Sequence, residues 1–187
     1  MEIIWATLIL NTIEMIKRLI TELMEEFREI VRKELKDQGH SDTGKLSKSM
    51  RIEVIEYTGG IKALLYLQDY YVFLEYPMRA GNVPYSRGSG ARTSQLITQL
   101  IAWFRRKGAA NPVAASFATV NVWLKEGRPT DRSYAFSRNN RRTGFMKQSV
   151  KTWSKGLAEK IEGAYIESTN DHYRAVFKSL DNIKLRA

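Results

Sequence analysis

Hydrophobic residues near the start of the chain recur at alternating spacings of four and three, the period of one face of an α-helix. The stripe runs through Ile9, Ile13, Ile16, Ile20, Leu23, Phe27 and Ile30. It predicts a helix over roughly Thr7 to Lys36 that stops at Gly39, since glycine tolerates the left-handed conformation common at helix ends. Such a stripe packs either on a sheet of its own domain or on a partner helix in a coiled coil.

A change to β-branched and aromatic residues predicts a β-hairpin after this helix. The strands are expected over Ser49 to Tyr57 and Ile61 to Gln68, and Thr58-Gly59-Gly60 supplies the turn between them. The next run, Tyr70 to Tyr76, is either a third strand or a short helix, because periodicity does not decide for so short a segment.

The middle of the chain alternates between polar loops and helices. Pro77 to Arg92 contains two Pro and three Gly and is expected to be an exposed, mobile loop. A helix over about Ser94 to Lys107 follows. Arg128 to Gly144 is expected to be a second polar loop. In the helix predicted over Ser94 to Lys107, the hydrophobic residues expected to face inward are Leu96, Leu100, Trp103 and Phe104.

A further helix lies between these loops. Asn111 is a good N-cap, Pro112 suits the first helical position, and Gly127 is expected to end the helix. Its predicted inner face carries Val113, Phe117, Val120 and Leu124.

The last third of the chain is again helical, with an apolar stripe of Met146, Val150, Trp153, Leu157 and Ile161. Helix, hairpin and further helices in this order indicate an α+β fold, in which the N-terminal and C-terminal helices pack on a small antiparallel sheet. We expect a single domain with four parts: an N-terminal helix (1–40), a sheet (41–76), a basic helical insertion (77–143) and C-terminal helices (144–187).

Composition limits the classes of protein to which the chain can belong. Its 187 residues, 43% of them hydrophobic, suffice for one domain with a sizeable core. There is no Cys and there are only two His, His40 and His172, so disulfide scaffolds and Cys- or His-rich metal centres are excluded. No cofactor is predicted. The apolar run Ile3 to Leu10 is far shorter than the roughly 20 residues of a membrane span, so no membrane anchor is expected.

Positive charge is concentrated in the middle of the chain. From Arg79 to Lys155 there are fifteen Lys or Arg and only two acids, Glu126 and Asp131, which gives this segment a charge of +13 within a total of +10. Such a concentration favours an anionic partner, either nucleic acid or an acidic protein surface.

Arginine outnumbers lysine by ten to five in this segment, and arginine makes planar, bidentate contacts to carboxylate and phosphate that lysine does not. We therefore predict specific contacts to acidic partner subunits or to DNA phosphates. The candidate contact residues are Arg79, Arg87, Arg92, Arg105, Arg106, Arg128, Arg132, Arg138, Arg141 and Arg142.

Three short segments of the chain, Asp42 to Met50, Tyr71 to Tyr76 and Gly144 to Ser149, are similar to the motifs T-G-x-L-x-x-S, Y-A-x-x-V-E-F-G and P-F-L-x-P-A, respectively. Through these motifs the chain resembles the tail-completion (neck) proteins of tailed double-stranded DNA bacteriophages. They occur in the family's order. The positions that match the motifs are Thr43, Gly44, Leu46, Ser49, Tyr71, Glu75 and Phe145.

The resemblance implies a structural virion protein without catalytic activity, located in the neck of the particle. In such a protein, copies assemble as a homo-oligomeric ring between the portal or connector and the tail proteins, and packaged DNA passes through the middle. Pro77 to Thr143 is then an insertion relative to the family, and its basic residues are expected to contact neighbouring subunits or, without sequence specificity, the DNA.

Two other classes of function compete with this expectation. A free nucleic-acid-binding module would use Arg128, Arg132, Arg138, Arg141 and Arg142 on phosphates and would lose affinity steeply as salt rises. A nuclease or other hydrolase would need a cluster of carboxylates for a metal ion, and no such motif is present in the sequence. We therefore predict no catalytic and no metal-binding residues.

Overall fold

The fold combines long helices with a two-stranded antiparallel sheet, and the predicted α+β class is confirmed. The structure, a computed structural model, describes the backbone of residues 2–86, 88 and 94–184, and the side chains of residues 12–86, 88, 94–171, 173 and 174. Arg87, Arg92 and the side chain of Ile9 lie outside the described residues.

The α-helices in chain order are α1 (Glu2–Asp37), α2 (Lys45–Ser49), α3 (Val72–Glu75), α4 (Gln95–Arg106), α5 (Pro112–Glu126), α6 (Phe145–Trp153) and α7 (Leu157–Lys184). The strands are β1 (Arg51–Tyr57) and β2 (Gly60–Tyr66). Short 3-10 helices span Asp69–Tyr71, Ala80–Asn82 and Asp131–Phe136.

Contacts between Cα atoms divide the chain into two compact units. The first unit contains Met1–Glu34, Thr43–Gln68 and Met146–Ala187, and the second contains Leu35–Asp42 and Asp69–Phe145. The predicted basic insertion, residues 77–143, therefore lies within the second unit. The expectation of a single domain stays a prediction.

In the first unit, the predicted apolar face of α1 packs on the C-terminal helices. Phe27 and Val31 are buried, and the Phe27 ring centroid lies 5.1 Å from that of Trp153. The indole Nε1 of Trp153 also donates a hydrogen bond to the carbonyl of Leu23 at 3.2 Å. This face is less buried toward the N-terminus, where Ile16 is exposed.

The hairpin forms as predicted, with a shorter turn. Tyr57 pairs with Gly60, so only Thr58 and Gly59 remain in the turn, and Gly59 adopts the positive φ of 108°. A salt bridge from Lys17 to Glu56, 2.5 Å long, connects α1 to β1.

The first strand begins two residues later than predicted, because α2 occupies residues assigned to it. The amide of Lys48 donates to the carbonyl of Gly44 at 2.9 Å and closes this helical turn. Ser49 therefore ends a helix, and β1 begins at Arg51.

The predicted stripe of the last third is only partly correct. Trp153 and Leu157 are partly buried, whereas Val150 and Ile161 are exposed. Within α6, Val150 follows the buried Ser149 and lies on a different face, and α6 is separated from α7 by a break at Gly156, which has a φ of 75°. Because the helix does not continue through this point, residues on its two sides do not share one face.

In the second unit, α4 and α5 pack around a core of Val83, Ile97 and Val120. Both helices begin with N-caps, of which Asn111 was predicted. The Ser94 hydroxyl accepts from the Ile97 amide at 3.3 Å, and Asn111 Oδ1 accepts from the Ala114 amide at 3.0 Å. Side chains packed against this core are Met78, Tyr85, Leu96, Leu100, Ile101, Phe117, Trp123 and Leu124.

Two predictions about this unit are wrong. Val113 is 44% exposed instead of facing inward, although helical spacing puts it on the same face as the buried Ser116 and Val120, because it lies in the first turn, at the end of α5. The segment after Pro77 is not wholly an exposed loop: Val83 is buried, and Met78 and Tyr85 pack on the same core.

The open question about Tyr70 to Tyr76 is resolved in favour of helical structure. The 3-10 helix Asp69–Tyr71 leads directly into α3, and the amide of Tyr76 bonds the carbonyl of Val72 at 3.0 Å. Four large hydrophobic side chains of this segment remain exposed: Tyr70, Val72, Phe73 and Tyr76.

Candidate interaction surface

Most of the predicted contact residues lie in the second unit, which is strongly basic. This unit contains thirteen Lys or Arg and six Asp or Glu, a net charge of +7. Its described arginines fall into three groups by environment: a pair that is partly buried, one that pairs with an acid, and others that are exposed.

Arg128 belongs to the partly buried pair. Its backbone forms an isolated antiparallel bridge with Met78, with N···O distances of 2.7 and 2.8 Å. Its guanidinium carbon lies 5.1 Å from the centroid of the Trp123 ring, a cation–π contact. Burial and then the charge of Arg142 lower the pKa of Arg128.

Arg142 is the other member of the pair. Its Nη1 donates to the carbonyl of Gln38, and its own carbonyl lies 3.0 Å from Nε2 of His40. A carbonyl oxygen only accepts, so His40 carries its proton on Nε2 when neutral. Burial lowers the pKa of Arg142, and its Nε is buried without a hydrogen-bond partner among the described residues.

Gly39 fits closely beside these groups. It has a φ of 74°, and a Cβ placed on it would lie 2.2 Å from the carbonyl oxygen of Phe136 and 2.6 Å from Nη1 of Arg142. The helix end at Gly39, predicted from the sequence, thus also makes room for the loop that contains Arg142.

Arg106 is neutralised inside the second unit. Its Nη2 lies 2.9 Å from Oδ2 of Asp42, and Nζ of Lys107 lies 2.9 Å from Oδ1 of the same carboxylate. Hydrogen bonds from Lys107 and from Arg106 lower the pKa of Asp42. The two cations are about half exposed, so this cluster contributes little stability, on the order of 1 kcal/mol or less per pair.

Five predicted contact residues are exposed and make no ion pair with a described residue: Arg79, Arg105, Arg132, Arg138 and Arg141. We call them the exposed arginines. A surface cation without an acidic neighbour keeps its full charge available for a partner.

Hydrogen bonds fix the loop that presents Arg138 and Arg141. The amide of Arg138 donates to the carbonyl of Asp37 at 2.7 Å. The amide of Arg141 donates to the hydroxyl of Ser137 at 3.0 Å and to Oδ1 of Asn139 at 3.2 Å. The polar loop predicted over residues 128–144 therefore has a defined backbone, including the 3-10 helix Asp131–Phe136.

The positions of the first family motif have local structural roles in the first unit. Gly44 adopts a φ of 67° before α2, and Leu46 is buried. The hydroxyl of Ser49 donates to the carbonyl of Leu46 at 2.8 Å, and that of Thr43 accepts weakly from the Lys45 amide at 3.4 Å.

The second and third motifs meet in the second unit. The carbonyl of Glu75, at the end of α3, accepts from the amide of Gly144 at 2.9 Å. Phe145 follows directly and is fully buried, and Tyr71 ends the 3-10 helix before α3. This contact, between residues 69 positions apart in the chain, was not predicted from the sequence.

The roles of His40 and Trp123 were not predicted from the sequence. His40 had no helical or motif signal, and its partner lies 102 residues further along the chain. Trp123 could have been found from its position four residues before Gly127, since the last turn of a helix often contacts the loop that follows.

The described part of the chain contains no cluster of three or more acidic or His residues that could hold a metal ion. In that same part, no helix is long and apolar enough to cross a membrane. No family model, curated protein or solved structure matches the chain.

Proposed function

We propose that this chain is a structural subunit of the head–tail connection of a tailed bacteriophage, where copies assemble as a ring around the DNA channel. Support comes from the three neck-protein motifs in family order and from two properties of the surface. These properties are the many exposed hydrophobic side chains and the exposed arginines.

The observation that carries the proposal is the balance between buried and exposed hydrophobic side chains. Among the described residues, nine hydrophobic side chains are buried, whereas seventeen large ones are exposed. Soluble monomers rarely expose large contiguous apolar patches, which usually mark interfaces. A subunit that buries part of this surface against other copies would gain stability on assembly.

Assembly into a ring requires two different surfaces on each subunit, because contacts in a ring with more than two members are heterologous. The described residues contain two separate groups of exposed apolar side chains. One is the α3 surface, formed by Tyr70, Val72, Phe73 and Tyr76 of the second unit. The other is the α7 surface, formed by Ile161, Tyr165, Ile166 and Tyr173 of the first unit.

The exposed arginines suit either of two anionic neighbours in such a ring. Arg–carboxylate contacts are common at protein interfaces, where arginine is enriched, and Arg–phosphate contacts would occur along packaged DNA. No catalytic residue is part of the proposal.

The test is the mass of the purified protein in solution, measured by light scattering, followed by electron microscopy. We expect a discrete multiple of the 21.6 kDa chain mass and annular particles. Phe73→Ser, at a side chain that is 58% exposed, should reduce the mass, whereas Val113→Ser, at 44% exposure on α5, should leave it unchanged. A wild-type protein that stays a monomer at all concentrations would overturn the proposal.

A second candidate function is favoured by the exposure of Arg132, Arg138 and Arg141 without acidic partners. A free nucleic-acid-binding module would use these three side chains on phosphates. It predicts tight binding of duplex DNA or RNA by the isolated chain, with the logarithm of affinity falling linearly with the logarithm of salt concentration. Weak binding with a shallow salt dependence would exclude this candidate and leave the ring proposal intact.

A further inference from the structure

Arg128 and Arg142 are two neighbouring cations of the second unit that have no counter-ion among the described residues. Neither makes an ion pair with a described carboxylate. The residues of this unit outside the described part, 87 and 89–93, contain no Asp or Glu in the sequence. The chain therefore supplies no acid for this pair within the unit.

Two neighbouring, partly buried cations that are not paired with acids reduce the stability of a folded protein. Removing a charged group from water is unfavourable unless the group is paired and hydrogen-bonded. Here both guanidinium groups are partly buried, they repel each other, and Nε of Arg142 is a buried donor without an acceptor. Leaving a buried donor unsatisfied costs about 1–3 kcal/mol.

The fold nevertheless holds both side chains in place. Arg142 is fixed by its bond to the carbonyl of Gln38, and Gly39 provides the space that this bond needs. Arg128 is fixed by the ring of Trp123 and by its backbone bridge to Met78. Arginine side chains are long enough to extend into water at little cost, so the partly buried positions of these two indicate a function.

We propose that Arg128 and Arg142, next to His40, form a binding site for a tetrahedral oxyanion of the phosphate class. A guanidinium group matches the geometry of a phosphate with two parallel hydrogen bonds, and two guanidinium groups balance a doubly charged anion. A single carboxylate would balance only one of them. The source is either free phosphate or a phosphate of a nucleic acid backbone, and the site does not depend on ring assembly.

The first experiment titrates the purified full-length protein with sodium sulfate, a tetrahedral dianion, by isothermal calorimetry and thermal unfolding. We expect saturable binding. At ten times the dissociation constant, the unfolding equilibrium constant should fall about elevenfold. Sodium chloride at the same ionic strength should not reproduce this fall. The absence of saturable binding, or equal binding of acetate, would overturn the proposal.

Variants test the assignment of residues. Arg128→Gln and Arg142→Gln should abolish saturable sulfate binding, while Arg141→Gln, one residue from Arg142 but exposed, should retain it. Equal loss in Arg141→Gln would indicate a diffuse charge effect and would contradict the proposal.

A measurement on the wild-type protein covers the case in which Arg142→Gln does not fold. Burial and the charges of Arg142 and Arg128 lower the pKa of His40 to about 4. An anion bound beside these arginines should raise the pKa of His40, measured by NMR, in a saturable way. An unchanged value in saturating sulfate would contradict the site.

A final comparison separates the two sources. A short DNA duplex that competes with sulfate, and whose binding is lost in Arg128→Gln, would identify a backbone phosphate. Sulfate binding that is unaffected by the duplex would identify a free phosphate. Either result supports the site, which fails only through the outcomes given above.

Discussion

At the scale of single residues, Gly39 and Gly108 occupy equivalent positions in two copies of the same helix-ending motif. The amides of Gly39 and His40 bond the carbonyls of Lys36 and Leu35 at 3.0 and 2.8 Å. After α4, the amides of Gly108 and Ala109 bond Arg105 and Phe104 at 3.1 and 3.0 Å. Both glycines have positive φ, 74° and 72°. The space around the two glycines differs, so alanine substitutions at these positions distinguish the cost of backbone strain from the cost of steric contact.

We predict that Gly39→Ala destabilises the protein far more than Gly108→Ala. Nothing lies within 4 Å of a Cβ on Gly108, so that variant should lose only the conformational preference of glycine, about 1–2 kcal/mol. A Cβ on Gly39 would meet the Phe136 carbonyl and the Arg142 side chain, so the loss should reach about 2–5 kcal/mol. Urea unfolding of both variants measures the difference. Equal losses would show that the loop around Phe136 moves away at no cost.

A second prediction concerns the pH dependence that His40 confers. Its pKa is about 4 in the folded state, because of burial and of the charges of Arg142 and Arg128, against an ordinary value of 6.5. Between these values the unfolded chain binds a proton that the folded chain does not, so folding stability should fall as pH decreases from about 6.5 to 4.

The measurement is the free energy of unfolding of the wild type and of His40→Asn across this pH range. The difference between the two proteins removes the contribution of the carboxylates, which titrate in both. The wild type should lose more stability than the variant on acidification, and parallel curves would refute the assignment.

At the scale of elements, the features predicted correctly from the sequence are those that depend on residues adjacent in the chain. The N-cap Asn111, the stops at Gly39 and Gly127, and the hairpin turn all appear near their predicted positions, because each depends on neighbouring residues alone. The wrong predictions concern features that depend on contacts with residues distant in the chain. Val83 is buried by α4 and α5, which follow it in the chain, and periodicity gave no sign of that contact.

The cap of α5 offers a test at this scale. Asn111→Ala removes the acceptor of the Ala114 amide, bonded at 3.0 Å, and should cost about 1 kcal/mol of stability. Asn121→Ala is the matched control, since Asn121 is exposed in the interior of the same helix, where alanine is the better helix former. Thermal unfolding of the two variants measures the effect. A control as unstable as the cap variant would argue against the capping bond.

At the scale of the whole molecule, the location of the positive charge was predicted from the sequence, whereas the environment of each arginine was not. The excess of arginine in the middle of the chain was visible in the sequence, and the second unit is indeed strongly basic. Only the folded chain separates the exposed Arg138 and Arg141 from the partly buried Arg128 and Arg142. That separation depends on the carbonyl of Gln38 and the ring of Trp123, and the first of these contacts joins residues 104 positions apart, so no local pattern predicts it.

The proposed ring makes a final prediction, which depends on the use of two different surfaces. If the α3 surface of one copy binds the α7 surface of the next, then Phe73→Ser and Tyr165→Ser should each yield monomers. Each variant nevertheless retains the surface that the other lacks.

An equimolar mixture of the two variants should therefore form heterodimers and nothing larger, because one contact between them remains intact and the opposite contact is lost twice. Light scattering and native mass spectrometry of the separate and mixed proteins measure this outcome. Homodimers of either variant alone would indicate an isologous contact, in which a surface pairs with its own copy. Such a contact closes after two subunits and would not extend to a ring, so that result would contradict the assembly by two different surfaces.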